Sequence, residues 1–141
     1  PWNSRSSDQR TAELLDELSK EEGIQVYSGE VYRARLEPVE GSEQGKTRPG
    51  VVLQNPDLGR FTSTAMCIPL TTNLSRMGLP GTCIIPKGEG GLDQESVALA
   101  FQMRALDVSR LGKRFGKVSP KTLEALADAA LNALGIIVEP Q

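Results

Sequence analysis

The chain predicts a mainly β fold with some helix: a small, partly open β-barrel with one C-terminal helix packed against it. Three observations lead there. Short runs of apolar and β-branched residues, each closed by Gly, Pro, Asn or Asp, succeed one another from Tyr27 to Met103. A broad apolar stripe at helical spacing comes only late, over Leu123, Leu126, Ala127, Ala130, Leu131 and Leu134. The length, 141 residues, suits one domain with a real core and leaves room for an appendage.

The elements follow in order. Pro1–Ser7 is polar, lacks a starting methionine and reads as processed or expression-derived sequence. Ser7 or Asp8 is expected to cap a helix reaching about Glu22, with Gly23 as its stop. Thr11, Leu14, Leu15 and Leu18 share one side of it among six acids, a stripe too narrow for an independent unit. Residues 1–25 are therefore read as an N-terminal extension and 26–141 as the domain. From Tyr27 the period becomes two, Val31, Arg33 and Arg35 alternating with Tyr32, Ala34 and Leu36 in a strand that ends at Pro38.

Gly41-Ser42-Glu43-Gln44-Gly45 is a polar loop with a turn-forming glycine at each end. Arg48-Pro49 then enters a strand over residues 50–54, and the proline holds Arg48 extended. A guanidinium pre-set at a strand entrance suits a phosphate or a carboxylate, though the same pattern also fits a solvated surface arginine. Asn55–Gly59 is a turn. Thr64–Leu70 is the next strand, closing in Thr71-Thr72, and Pro69 within it argues for an edge or a bulge. A connector over 73–81, a strand over Thr82–Pro86, a loop over Gly88–Gly91 and a single strand over Ser96–Met103 follow. Asp107–Leu111 suits one helical turn before Gly112. Ser119-Pro120 opens the last helix, serine as cap and proline at the first position, and Gly135 ends it.

Composition narrows the chemistry. Histidine is absent, which removes the commonest metal ligand and the usual neutral-pH acid/base, so a transition-metal enzyme is not expected. Hydrolytic chemistry must use carboxylates, hydroxyls and arginine. Cys67 and Cys83 both stand inside apolar runs and read as buried small hydrophobes rather than a disulfide or metal framework. No apolar run approaches the roughly 20 residues of a membrane span and no signal-peptide pattern opens the chain, so a cytoplasmic protein is expected. The net charge of −2 does not suggest a polyanion partner, but residues 110–121 hold Arg110, Lys113, Arg114, Lys117 and Lys121 without an acid. Such a strip either attracts a polyanion or is a solvated face.

Several separated segments agree with one family. Gly29-Glu30-Val31-Tyr32, then Gly41–Gly45 with Arg48-Pro49, Val51-Val52 and Gln54-Asn55, resemble the start of MazF/PemK (Kid)-type toxins. Pro69-Leu70-Thr71, Asp93–Val97, Gln102-Met103-Arg104 and Ser109-Arg110-Leu111 match later motifs, so the resemblance spans about Tyr27 to Ile137. It implies an SH3-like barrel of the MazF/CcdB kind and a homodimer. It also implies a metal-independent, ribosome-independent endoribonuclease, without cofactor, that cuts single-stranded RNA at a short sequence. An antitoxin of the MazE type, with an acidic C-terminal segment, would occupy the RNA groove.

By that resemblance Arg48 and Thr71 carry the chemistry. The ribose 2'-hydroxyl attacks the adjacent phosphorus in line and expels the 5'-oxygen, leaving a 2',3'-cyclic phosphate and a 5'-hydroxyl. The protein must orient the strand and stabilise charge on the phosphorane oxygens, tasks that suit a guanidinium and a hydroxyl. Arg48, Glu43 and water remain candidates for proton transfer, arginine being a poor base with an ordinary pKa of about 12.5 to 13.8. Ser42, Glu43 and Gln44 would line the groove and contact bases or 2'-hydroxyls, with Gln102 assisting. Plainer roles are a braced loop, with Glu43 pairing Arg48, and satisfied strand ends at Gln102 and Thr71. Phe101 stands where relatives commonly carry an acid. The acidic extension over residues 8–22 is unlike the usual toxin and could imitate an antitoxin segment. Two rivals remain: a non-hydrolytic gyrase-poisoning toxin on the same barrel, and an RNA-binding module without turnover.

Overall fold

The structure is a computed structural model that describes Arg10 and residues 25–36 and 47–137. Among the described residues the elements are β1 (Glu30–Arg35), β2 (Thr47–Val52), β3 (Thr64–Thr71), β4 (Thr82–Ile85), β5 (Ser96–Leu99), β6 (Arg104–Asp107), β7 (Leu111–Lys117) and α1 (Pro120–Ala133). All pairings are antiparallel, in the order β4-β5-β3-β2-β1-β7, with β6 added beside β3. The path does not close on itself, which is the partly open barrel expected.

Strand alternation builds two cores on opposite faces of the central strands. Val31, Val51, Ile68 and Leu70 point one way and pack with Ile85, Ala98, Val118, Leu126, Ala129 and Ala130 beneath α1. Val52, Ala65, Ala34 and Cys67 point the other way and fill the barrel with Tyr32, Leu106 and Leu111. Gly50 belongs to the barrel face, and there is no room for a side chain: a methyl would overlap the Cys67 sulfur and lie 3.3 Å from Ala34 Cβ.

The two prolines within strands are explained by direction. Leu53 N–H donates to Met66 O at 3.0 Å, so alternation aims the backbone groups of Met66, Ile68 and Leu70 at β2. The nitrogen of Pro69 then faces the other side. There β3 has left β6 after Cys67 and has not yet met β5 at Leu70, so no ladder bond is lost. The expected edge or bulge at Pro69 is instead a change of partner within a central strand. By the same alternation Pro49 aims its nitrogen at β3. The β2–β3 ladder runs through Val52–Cys67, Val51–Ile68 and Gly50–Pro69 and stops, because the next bond needs an N–H that Pro49 lacks.

Other boundaries also differ from the sequence reading. β2 starts at Thr47 rather than at residue 50, placing Arg48 inside the strand opposite Ala34. The single strand over Ser96–Met103 is two strands, β5 and β6, separated by a 3-10 turn over Ala100–Gln102. The turn carries the chain across the gap where β3 changes partner. β7 was not foreseen, since its glycines and cations give no apolar alternation; pairing with β1 makes it a strand. The expected turn after Asp107 is present, with Asp107 Oδ1 accepting from Ser109 N–H at 2.9 Å.

Helix α1 begins as read: Ser119 Oγ accepts from Thr122 N–H at 3.2 Å and Pro120 follows. Gly135 stops it at φ 78°. Its buried side is Thr122, Leu126, Ala129 and Ala130, whereas Leu134 lies past the last turn and is 70% exposed. Both cysteines are free; Cys67 is buried, as expected, whereas Cys83 is only half-buried. The helix anticipated over residues 8–22 and the loop over 41–45 lie outside the described residues.

Candidate active site

The β2–β3 ladder ends just short of Arg48 on one strand and Thr71 on the other. Carrying the register of Gly50–Pro69 two residues further sets Arg48 across from Thr71. Both then fall on the barrel face, at its rim, in line with Gly50 and Pro69. Arg48 is exposed and has no hydrogen-bond or ionic partner among the described residues. Thr71 is half-buried, and its Oγ1 accepts from Asn73 N–H at 3.1 Å. That bond fixes the oxygen and uses an acceptor position, so the O–H remains free to donate to an anionic oxygen. Asn73 is held in turn, its Oδ1 accepting from Ser75 N–H at 3.1 Å and Ser75 O–H at 2.7 Å.

Gln102 ends the turn between β5 and β6, beside the Ile68–Pro69 stretch of β3, and is half-buried. Its side chain has no hydrogen-bond partner among the described residues. Its neighbour Phe101 is 43% exposed, and the Phe101 N–H donates to Gly81 O at 3.1 Å. Ser42, Glu43 and Gln44, the other residues read as lining a groove, lie outside the described residues.

The structure adds Arg104, which the sequence reading quoted in a motif without giving it a role. It pairs with Cys67 on the barrel face, and its Nη1 donates to Leu36 O at 3.4 Å. The guanidinium thus joins β6 to the end of β1 at the barrel rim. Burial pushes the Cys67 thiol up to about 12, with the nearby Arg104 charge pulling the other way. The available signal was the motif itself, Gln102-Met103-Arg104.

One carboxylate of the Gly29–Tyr32 motif has a supporting task. Glu30 is 8% exposed; its Oε1 accepts from Tyr27 N–H at 2.7 Å and Tyr32 O–H at 2.9 Å, and its Oε2 from Arg114 Nε at 2.8 Å. Burial first, and then the bond to Glu30, raise the Tyr32 hydroxyl to about 12. These contacts lock the start of β1 to β7. Among the described residues no three of His, Cys, Asp or Glu gather as a metal site.

The arrangement offers an exposed cation and a donor-ready hydroxyl on facing strand ends, with further cationic charge at the rim. A profile for PemK-like, MazF-like toxins of type II toxin–antitoxin systems matches residues 27–134, which is every described strand and the helix. The chain belongs to this toxin family. It is 35% identical over 108 residues to the endoribonuclease MazF of Staphylococcus saprophyticus, covering 77% of this chain and 90% of that one. Two solved structures share the fold. One is a mycobacterial endoribonuclease in complex with its cognate antitoxin (TM-score 0.67, 23% identity, 82% of this chain and all of that one). The other is a MazE-MazF structure from Deinococcus radiodurans (TM-score 0.63, 25% identity, 81% of this chain and all of that one).

Proposed function

We propose that this PemK/MazF-type toxin cuts single-stranded RNA at the notch between β2 and β3, with Arg48 and Thr71 as the reacting-site pair. Family membership makes the chain a sequence-specific endoribonuclease toxin. The observation that supports the site reading is the Gly50–Pro69 register, which, carried two residues past the end of the ladder, sets Arg48 across from Thr71.

The scissile phosphate sits in the notch. The 2'-hydroxyl attacks phosphorus, its proton passing to the solvent or to Glu43, and the 5'-oxygen leaves and takes up a proton as a 5'-hydroxyl. Arg48 pairs with the non-bridging oxygens as negative charge grows on them, and the Thr71 O–H donates to one of the same oxygens. No metal or cofactor enters. Ser42, Glu43 and Gln44 contact bases or 2'-hydroxyls, and Gln102, its amide without a partner among the described residues, contacts the strand from β3's far side.

The toxin acts as a homodimer on cytoplasmic mRNA and is held in check by a MazE-like antitoxin. Solved relatives in complex with antitoxins support this, and no described helix is long and apolar enough to cross a membrane. Residues 26–141 form the toxin domain and residues 1–25 an extension, in step with the family match beginning at 27.

Incubation with RNA in EDTA, followed by end mapping, tests the reading. Recurrent cuts with 2',3'-cyclic phosphate and 5'-hydroxyl ends are expected. Arg48→Ala should lower cleavage about 10²- to 10³-fold with the fold intact, and Thr71→Val about tenfold. Normal cutting by Arg48→Ala would misplace the site. Unchanged RNA with inhibited supercoiling would mark a gyrase poison, and a stable uncut complex would mark a binding module.

A further inference from the structure

The basic strip of residues 110–121 divides in the fold. Arg114 turns to the barrel side and is neutralised by Glu30 at 2.8 Å. Lys113 turns to the opposite face, where its Nζ stands 6.0 Å from the centroid of the Phe115 ring. Arg33 of β1 comes to the same ring, its Cζ 5.9 Å from the centroid. Arg35 follows two residues along β1, on the same face as Arg33. All three cations are exposed, and none has a carboxylate partner among the described residues.

This gathering runs against the overall charge. The chain carries a net −2, yet two strands bring like charges to one ring with no acid between them among the described residues. A ring face attracts each cation by about 0.5–1 kcal/mol at exposed sites but leaves its charge uncancelled. The face is therefore a local focus of positive potential, of the kind that holds a polyanion. Phe115 packs half-buried against the core, so it holds the cations in place and is not a free stacking platform.

We infer that Arg33, Lys113 and Arg35 form a second RNA contact, binding backbone phosphates of nucleotides that flank the cleaved step. The inference rests on the endoribonuclease reading above. Arg33 pairs with Pro49, next to Arg48, and alternation places it on the reverse face of the same two strands. Contact with both sites requires one flexible single strand to bend around that ribbon. Phosphate contacts of this kind add affinity and salt dependence without reading sequence.

The test compares the unsubstituted chain with the Arg33→Gln, Lys113→Gln double variant. It uses two RNAs carrying a 2'-deoxyribose at the scissile position: a minimal one spanning the mapped cleavage sequence, and one extended on both sides. For the extended RNA the double variant should lower the slope of log affinity against log salt by about 1.4, at about 0.7 per phosphate contact. Over a fourfold change in salt this is about a sevenfold difference. Affinity for the minimal RNA, its cleavage when all-ribose, and thermal stability should stay unchanged. Equal loss on both RNAs, an unchanged slope, or a loss confined to an acidic antitoxin peptide overturns the inference. If the unsubstituted chain cuts neither all-ribose RNA, the nuclease reading fails separately, and the binding slopes still judge this face.

Discussion

Gly50 is the position where the barrel core and the notch depend on a single missing methyl. In Gly50→Ala the new carbon would overlap the Cys67 sulfur and press on Ala34 Cβ at 3.3 Å, and both neighbours are fully buried. Overpacking of this type costs about 1–3 kcal/mol. Alanine returns roughly 0.5–1 kcal/mol through its lower unfolded-state entropy, so a net loss of about 1–2 kcal/mol is expected. For a chain of this size that lowers the melting temperature by about 3–8 °C.

Cys67→Ala alone leaves a small void costing about 1 kcal/mol. Combined with Gly50→Ala it removes the overlapping sulfur, and the new methyl fills part of the void. The double variant should therefore be no less stable than Cys67→Ala, a coupling of about 1–2 kcal/mol in a double-mutant cycle. Urea denaturation of the four proteins, analysed at constant slope, measures it. Costs that add within about 0.5 kcal/mol would refute the packing argument, as would a Gly50→Ala protein of unchanged stability.

Further outcomes follow from other contacts. Pro49→Ala supplies the missing N–H and should extend the β2–β3 ladder by one bond; stability should change by no more than about 1 kcal/mol, while RNA cleavage falls as the notch closes, and unchanged cleavage would refute the notch. Glu30→Ala strands Tyr27 N–H and Tyr32 O–H and should cost about 2–3 kcal/mol, read as a thermal shift. Burial lifts Cys67 to about 12 and Cys83 to about 11. A disulfide reagent at pH 8 should therefore label neither quickly until denaturant is added. The Ser119 N–H bond holds the Glu89 carboxyl below its usual 4.5. Its stabilisation is thus present above pH about 4.5 and is lost as pH falls through the lower folded value. Glu89→Gln should flatten that part of the acid limb of melting temperature against pH.

Much of the fold was legible because local signals and tertiary structure agree. Ser119-Pro120 and Gly135 bound the helix in the sequence and in the structure alike. Alternation around Val31, Val51 and Ile68 marks strands because those positions meet a core. β7 could not be read: its Lys113, Arg114, Gly112 and Gly116 carry no strand pattern, and only β1, some 80 residues earlier, makes it one. Ser96–Met103 looked continuous since no Gly or Pro interrupts it; the break comes from β3 needing two partners. For the site, Arg48 and Thr71 were readable only as separate motifs; the register of the residues before them puts them near the ends of neighbouring strands. Pro49 was read as holding Arg48 extended, but its second effect depends on which way its nitrogen faces, which no sequence displays. Arg104 needed the closing of the barrel before it could join the rim.

The double loyalty of β3 bears on how the molecule opens. Ala65 and Cys67 anchor this strand in one core, Ile68 and Leu70 in the other, and the partners on its flank change midway. Its amides can be released to solvent only when both halves melt together, which places β3 among the last segments to exchange hydrogen. Thr71 hangs from the end of that slowest unit, while Arg48 rides on a strand end already loose from β3. In the proposed site one jaw of the notch is therefore the stiffer, and adjustment to a bound strand would fall to the other.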